Sequence, residues 1–229
     1  AIRCVVRRRW WRSARLFSSI RKERDSVADA SHFEFRKGRF GRCDGRPGVS
    51  VREITHFALA SVVARKDQAL HASAAAEAAF GTALPSRPAV ASGSDLSFVW
   101  SGPGHWLALG SAATASIERH VSSGLQGLAS VFDQSGSRVL LEVAGTRVRD
   151  ALAKGVELDL HPRTFRTGSA AVTTASHIGV HLWQVADDPV YRLLVVRTYL
   201  DSLWRWLATS AAEYGCEVLA PAPYTSHTT

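Results

Sequence analysis

The 229-residue sequence contains no methionine and only three cysteines, Cys4, Cys43 and Cys216, which lie far apart. No CxxC pair occurs, so neither a zinc ribbon nor a thioredoxin-type redox motif is available. So few cysteines do not suggest a disulfide scaffold, and a reducing cytoplasm is the expected compartment. The missing initiator points to a processed N-terminus or to a start inside something longer. No apolar run approaches the roughly 20 residues that span a bilayer. No GxxxxGK[ST] motif occurs, and Gly102-Pro103-Gly104 lacks the third glycine of a dinucleotide fingerprint. Pro103 also removes an N–H where a phosphate would need one, so this stretch reads as a hairpin turn. With 46% hydrophobic and 21% charged residues, the composition is that of a globular chain with a proper core.

Acidic residues are scarce at one end. The net charge of +8 is concentrated in residues 1–50, which hold 14 of the 28 Lys and Arg but 5 of the 20 Asp and Glu, a local charge of +9. The remaining residues carry −1, so the body is nearly neutral. From Ala1 to Lys22 there are eight basic residues and no acid, interleaved with Trp10, Trp11, Leu16, Phe17 and Ile20. An arm that binds phosphates and stacks on bases, an interfacial membrane helix and a transit-type peptide each fit that pattern. The plainer reading is a basic, disordered extension over residues 1–50, because Ser, Asp, Arg and Gly dominate Asp25 to Gly48 and no hydrophobic period persists. Ordered structure is expected from about Val51, with residues 221–229 as a tail.

Within 51–220 short strands and helices alternate. Phe57 to Ala64 reads as a strand, and Asp67 to Phe80 as an Ala-rich helix capped by Asp67 and stopped by Gly81. Leu96 to Trp100 and Trp106 to Leu109 form a hairpin about the Pro-Gly turn. A helix near Ala112 to Ser122 and a strand from Leu128 to Asp133 complete a β-α-β-β-α-β unit. The second half repeats the order. Arg138 to Ala144 alternates cleanly as a strand, and Thr146 caps a helix through Lys154 with Gly155 as its stop. Strands follow at Ala170 to Ala175, Ile178 to Val185 and Tyr191 to Arg197. A final helix from Asp201 to Tyr214 aligns Leu203, Trp204, Leu207, Ala211 and Tyr214 on one stripe, and Cys216 to Leu219 closes the unit. The fold class expected is α+β, as two ferredoxin-like halves at about 51–134 and 138–220.

Chemistry-bearing groups are few. His177 and His181 at i, i+4 would align two metal ligands on a helix, but here they sit in a strand, about 13 Å apart and too far to share one ion. Asp133, Ser135 and His161 supply the residue types of a triad without a GxSxG elbow, and a chance gathering is the better reading. Asp159-Leu160-His161-Pro162-Arg163 reads as a structured loop in which Asp159 bonds nearby backbone N–H groups. No catalytic, cofactor-binding or metal-binding residue is therefore assigned. Trp100, Trp106, Trp183, Trp204 and Trp206 are offered as contact surface, Trp206 lying off the helix stripe.

The segments FALASVVARKD, ALPSRP, FVWSGPGHWLAL, LASVFDQSGSRVLLEVAG, VRDALAKGVELDLHPRTFRTGSAAVTT, HIGVHLWQV and YRLLVVRTYLDSLWRWLATSAAEYG run in collinear order over residues 49 to 218. They resemble the gamma subunit of heterotetrameric sarcosine oxidase. The second-half wording is also similar to the folate-binding domain of the aminomethyltransferase family, which implies the same duplicated α+β fold. The resemblance implies a non-catalytic structural subunit in a complex that oxidatively demethylates sarcosine to glycine. Hydrogen peroxide is formed and the one-carbon unit passes to tetrahydrofolate. It implies alpha, beta and delta subunits as partners. FAD, FMN, NAD, zinc and tetrahydrofolate are expected on those subunits and no cofactor on this chain. A stand-alone folate-dependent aminomethyltransferase-like protein is the alternative.

Overall fold

A computed structural model describes residues 37–113 and 116–225. The readings of residues 1–22 as a phosphate-binding arm, a membrane helix or a transit peptide lie outside the described residues. The fold is mixed α+β and dominated by two sheets. Seven strands of the larger sheet run in the order β1 (Gly38–Phe40), β12 (Cys216–Val218), β2 (Val49–Thr55), β8 (Arg138–Ala144), β11 (Val190–Val196), β10 (Ile178–Ala186) and β9 (Ala170–Ala175). An eighth strand, β13 (Ala222–Pro223), pairs with β2 beyond β12. The smaller sheet runs β4 (Val90–Ser92), β5 (Leu96–Gly102), β6 (His105–Ser111), β3 (Phe57–Ala64) and β7 (Ala129–Asp133).

Both sheets are buried on two faces, and the period-2 alternation of their strands sorts side chains into three apolar layers. Val139, Leu141 and Val143 of β8 point to helices α3 (Val148–Leu152) and α4 (Leu200–Ala211), whose Ala151, Leu203, Trp204 and Leu207 meet them. Ala58, Ala60 and Val62 of β3 point to α1 (Ala69–Phe80) and α2 (Ile117–Gly124). The opposite faces meet each other, with Leu59, Val99, Leu107 and Leu109 from the smaller sheet against Ile54, Leu140, Trp183 and Leu194 from the larger. The order of layers is thus helices, sheet, sheet, helices.

Several boundaries differ from the sequence reading. Order begins before Val51: β1 lies in the segment assigned to the extension, and β2 begins at Val49. β2 sits between β8 and β12 in the larger sheet, so the division into halves at 51–134 and 138–220 does not hold for this strand. The chain crosses to the smaller sheet at His56, which adopts φ 54. Residues 221–225 are no loose tail, because β13 pairs with β2 and Tyr224 is buried.

The helix caps also differ. Gln68, not Asp67, holds the N-cap of α1 and makes no side-chain cap bond, while Gly81 does end that helix at φ 70. Arg147 replaces Thr146 as the N-cap of α3. Ser116 caps α2 by accepting from the Arg119 N–H at 3.4 Å. Of the five tryptophans offered as contact surface, Trp106, Trp183 and Trp204 are core residues, while Trp100 and Trp206 are half-buried; among the described residues the exposed large apolar side chains are Leu70, Phe132, Val172 and Tyr199.

Gly155 follows α3 without serving as a left-handed stop. A Cβ there would come within 2.5 Å of Trp206 Nε1, so the missing side chain lets the indole of α4 lie against the α3 turn. This explains why Trp206, off the apolar stripe, is nevertheless half-buried. Gly155→Ala is expected to lower stability by roughly 1–3 kcal/mol through overpacking. Urea unfolding together with a shift in indole emission checks this, and an unchanged midpoint would contradict the close contact.

Candidate functional site between the two sheets

Among the described residues, the layer between the sheets holds the buried polar side chains Ser97, His181 and Arg192. Arg52, Glu142 and Arg192 are Cα partners across β2, β8 and β11, and alternation sends all three toward the smaller sheet. Arg192 is only 3% exposed. Its Nε and Nη2 lie 3.5 Å from Glu142 Oε2, and Arg52 Nε lies 3.6 Å from Glu142 Oε1. Arg192 also donates from both Nη atoms to the Thr225 carbonyl at 3.4 Å and stacks 5.2 Å from the centre of the Tyr224 ring. An isolated guanidinium would be strongly disfavoured at this depth; the carboxylate balances its charge and the carbonyl accepts from its Nη atoms.

Beside this row is a cavity of about 50 Å³, partly open to solvent, whose polar lining includes Ser92, Ser97, Gln184, Arg192 and Tyr224. The Ser92 and Ser97 hydroxyls share a hydrogen bond of 3.0 Å. Burial pushes the Tyr224 phenol above its ordinary value, with Ser97 and Arg192 pulling the other way, so its O–H stays a donor at neutral pH. Gln184 sits at an irregularity where β10 loses register with β11. Its Nε2 donates to the Ala186 carbonyl at 2.9 Å, while its buried Oε1 has no hydrogen-bond partner in the protein.

A second polar contact joins the sheets. His181 Nε2 and the Ser101 hydroxyl are 2.9 Å apart, linking β10 to the end of β5. Burial first, and the charge of Arg138 second, lower His181 from 6.5 to about 4. Its Nδ1 is buried without a partner, so no acid orients the ring. A hydroxyl beside an imidazole has the form of a nucleophile and base, but a base this weak provides little drive for proton removal at neutral pH. The pair ties the two sheets together.

Of the residues singled out from sequence, Asp133, Ser135 and His161 each make bonds of their own, and only Asp133 and Ser135 are joined to each other. His177 occupies the turn before β10 at φ 69, and His181 is in the strand as expected. Ser135 is locked between the Leu59 N–H at 3.0 Å and the Leu59 carbonyl at 3.3 Å, while Asp133 accepts from the Ser135 N–H at 2.7 Å. His161 Nδ1 instead accepts from the Arg163 N–H at 3.2 Å. Asp159 accepts from the His161 N–H at 2.9 Å, as the loop reading expects, and that bond leads the causes that lower its pKa. Gly102-Pro103-Gly104 makes the β5–β6 turn, with Gly104 at φ 70. Burial pushes Cys216 up to about 12, which keeps it a thiol. Among the described residues no group of three or more His, Cys, Asp and Glu could hold a metal ion, and no helix is long and apolar enough to cross a membrane. Sequence reasoning missed the ionic row and the cavity. Their signal was a charged residue inside each of two apolar strands, Glu142 in RVLLEVA and Arg192 in VYRLLVV.

By class the chain is a layered α+β fold of helices, sheet, sheet and helices with a polar seam between the sheets. The Sarcosine oxidase, gamma subunit family matches residues 65–213, and the chain belongs to it. It is 30% identical to the sarcosine oxidase subunit gamma of an Arthrobacter species over 174 residues, covering 75% of this chain and 84% of that protein. It is 30% identical over 149 residues to the sarcosine oxidase subunit gamma of Corynebacterium sp. strain P-1, covering 64% and 73%. Among solved structures it is similar to a chain of the heterotetrameric sarcosine oxidase from Corynebacterium sp. U-96 in complex with pyrrole 2-carboxylate. The TM-score is 0.67 at 26% identity, covering 76% of this chain and 88% of that one. The glycine cleavage system aminomethyltransferase T from Bartonella henselae shares the fold, with a TM-score of 0.54 at 14% identity over 77% of this chain and 48% of that one.

The lowered His181 value fixes a pH dependence. The unfolded chain takes up the proton near 6.5 and the folded one only near 4, so stability present above pH 6.5 is lost as pH falls through that window. The loss attributable to this group is up to about 3 kcal/mol. Unfolding midpoints of the parent and His181→Gln between those pH values check it: the variant should show the shallower decline, and equal slopes would contradict a buried neutral imidazole.

Proposed function

We propose that the chain is a non-catalytic structural subunit of a heterotetrameric sarcosine oxidase, assembled with alpha, beta and delta subunits in the cytoplasm. In this reading the complex oxidatively demethylates sarcosine to glycine, forms hydrogen peroxide and passes the one-carbon unit to tetrahydrofolate. FAD, FMN, NAD, zinc and tetrahydrofolate are held on the other subunits. The observation that carries the reading is the relationship to subunits of that name across residues 65–213. The weak basicity of His181 and the protonated Cys216 agree with a subunit that does no chemistry itself. Two ferredoxin-like β-α-β-β-α-β units, with β2 inserted in the second, are our reading of its duplicated body. A folate-dependent aminomethyltransferase has only the shared fold in its favour.

Co-expression with the neighbouring subunits tests this. The purified chain alone is expected to carry no flavin absorbance and to oxidise no sarcosine, and with its partners it should elute in a larger flavin-bearing species. Sarcosine oxidation by the isolated chain would overturn the proposal.

A further inference from the structure

Three donors that line the cavity between the sheets converge. Arg192 shares its strand face with Leu194, and Ser97 shares its own with Val99, both apolar neighbours belonging to the layer between the sheets. Ser97 and Arg192 act on the Tyr224 phenol through side-chain hydrogen bonding, and the guanidinium stacks 5.2 Å from the centre of its ring. The Ser92 and Ser97 hydroxyls are 3.0 Å apart, so Ser92 can donate to Ser97 and Ser97 to Tyr224. That arrangement leaves the phenol proton for an acceptor in the cavity. The positive charge of the seam is only partly met, because Glu142 serves Arg52 at 3.6 Å as well as Arg192 at 3.5 Å. Two cations thus share one carboxylate, at distances beyond the roughly 2.7–2.9 Å of a close charge-assisted bond. No Asp or Glu is among the described residues that line the cavity, and Asp187, which accepts from the lining residue Thr167, is exposed. A small anion there meets a cation and a phenolic donor. Val99, Leu109 and Trp183 make an apolar wall, against which the remaining oxygens of a phosphate or sulfate would find no donor. At about 50 Å³ the space holds roughly three to five waters, on a scale of about 10–15 Å³ for each, and therefore a molecule of about four or five heavy atoms. We infer that this chain binds a short-chain monocarboxylate, of the size of acetate or propionate, in the cavity between its two sheets, with the carboxylate toward Arg192 and Tyr224 and the alkyl end toward Leu109 and Trp183.

The site is made by both sheets at once: Ser92, Ser97, Val99 and Leu109 come from the smaller, Trp183 and Arg192 from the larger, and Tyr224 from the segment after β13. Occupancy adds a second negative charge beside the two guanidiniums and bridges the layers, so it stabilises the folded chain as the carboxylate concentration rises. The inference does not depend on the chain sitting in an oxidase, because every group it uses belongs to this chain.

Calorimetry and thermal unfolding of the full chain, titrated with sodium acetate at millimolar concentrations and matched against sodium chloride at the same ionic strength, test it. Acetamide, inorganic phosphate and hexanoate probe the loss of charge, the loss of the apolar end and excess length. The expected result is one acetate bound per chain, a midpoint that rises with acetate beyond any effect of chloride, and weaker response to each of the other three. Tyr224→Phe keeps the ring against Arg192 and removes the donor, and should weaken acetate binding roughly tenfold or more. Should that variant fail to fold, Ser97→Ala provides the second arm and is expected to weaken acetate severalfold by releasing the phenol. A midpoint that moves no further with acetate than with chloride, which means that the cavity holds water only, would overturn the inference. Equal response to acetate and acetamide, or to acetate and phosphate, would overturn it as well, as would undiminished acetate binding by a folded Tyr224→Phe chain.

Discussion

The structure turns on the ionic row Arg52–Glu142–Arg192, which runs across β2, β8 and β11 in a layer whose apolar part is built from Ile54, Leu59, Leu140, Trp183 and Leu194. Apolar surfaces attract without direction, and two flat sheets could slide against each other at little penalty. A buried charge is different, because any displacement that parts Arg192 from Glu142 leaves an uncompensated ion in the core. A slip of β11 by one residue would swing Arg192 into the helix-facing layer beside Leu141 or Val143 of β8 and turn Leu193 out of it. The row thereby penalises alternative registers in the three central strands of the larger sheet.

The same guanidinium reaches beyond the sheet to the Thr225 carbonyl and the Tyr224 ring. It therefore fastens the C-terminal segment, which continues along β2 after β12 has paired with its first half. β2 is the common partner: it meets β8 on one side and β12 and β13 on the other before the chain turns at His56 into the smaller sheet. One strand and one arginine thus connect the N-terminal entry, the C-terminal exit and the seam between the layers. The Ser101–His181 contact adds a second tie at the far side of that seam.

Much of this was legible in the sequence because strand alternation and helical stripes are local signals. Arg138 to Ala144 and Ile178 onward read correctly, as did the hairpin at Pro103 and the stop at Gly81. The missed parts depend on partners distant in sequence. Nothing near Val49 tells that it will pair with Cys216, and a two-residue strand at Ala222 has no period to detect. Asp67 and Thr146 have the right chemistry for helix caps but stand one residue outside the positions used. The tryptophans misled for a related reason: Trp206 looked exposed on a helical projection, and only the absence of a side chain at Gly155 gives it cover. For the candidate site, Glu142 and Arg192 were visible as polar interruptions in apolar strands, but their facing each other required the register of β8 against β11.

The most direct test of the ionic row is a double-mutant cycle on unfolding free energy with Arg192→Met, Glu142→Gln and the pair together. The buried geometry predicts a coupling of about 1–3 kcal/mol, with the double variant less destabilised than the sum of the singles. A coupling within about 0.5 kcal/mol of zero would contradict the claim that this pair sets the register of the sheet and the seat of the C-terminal segment.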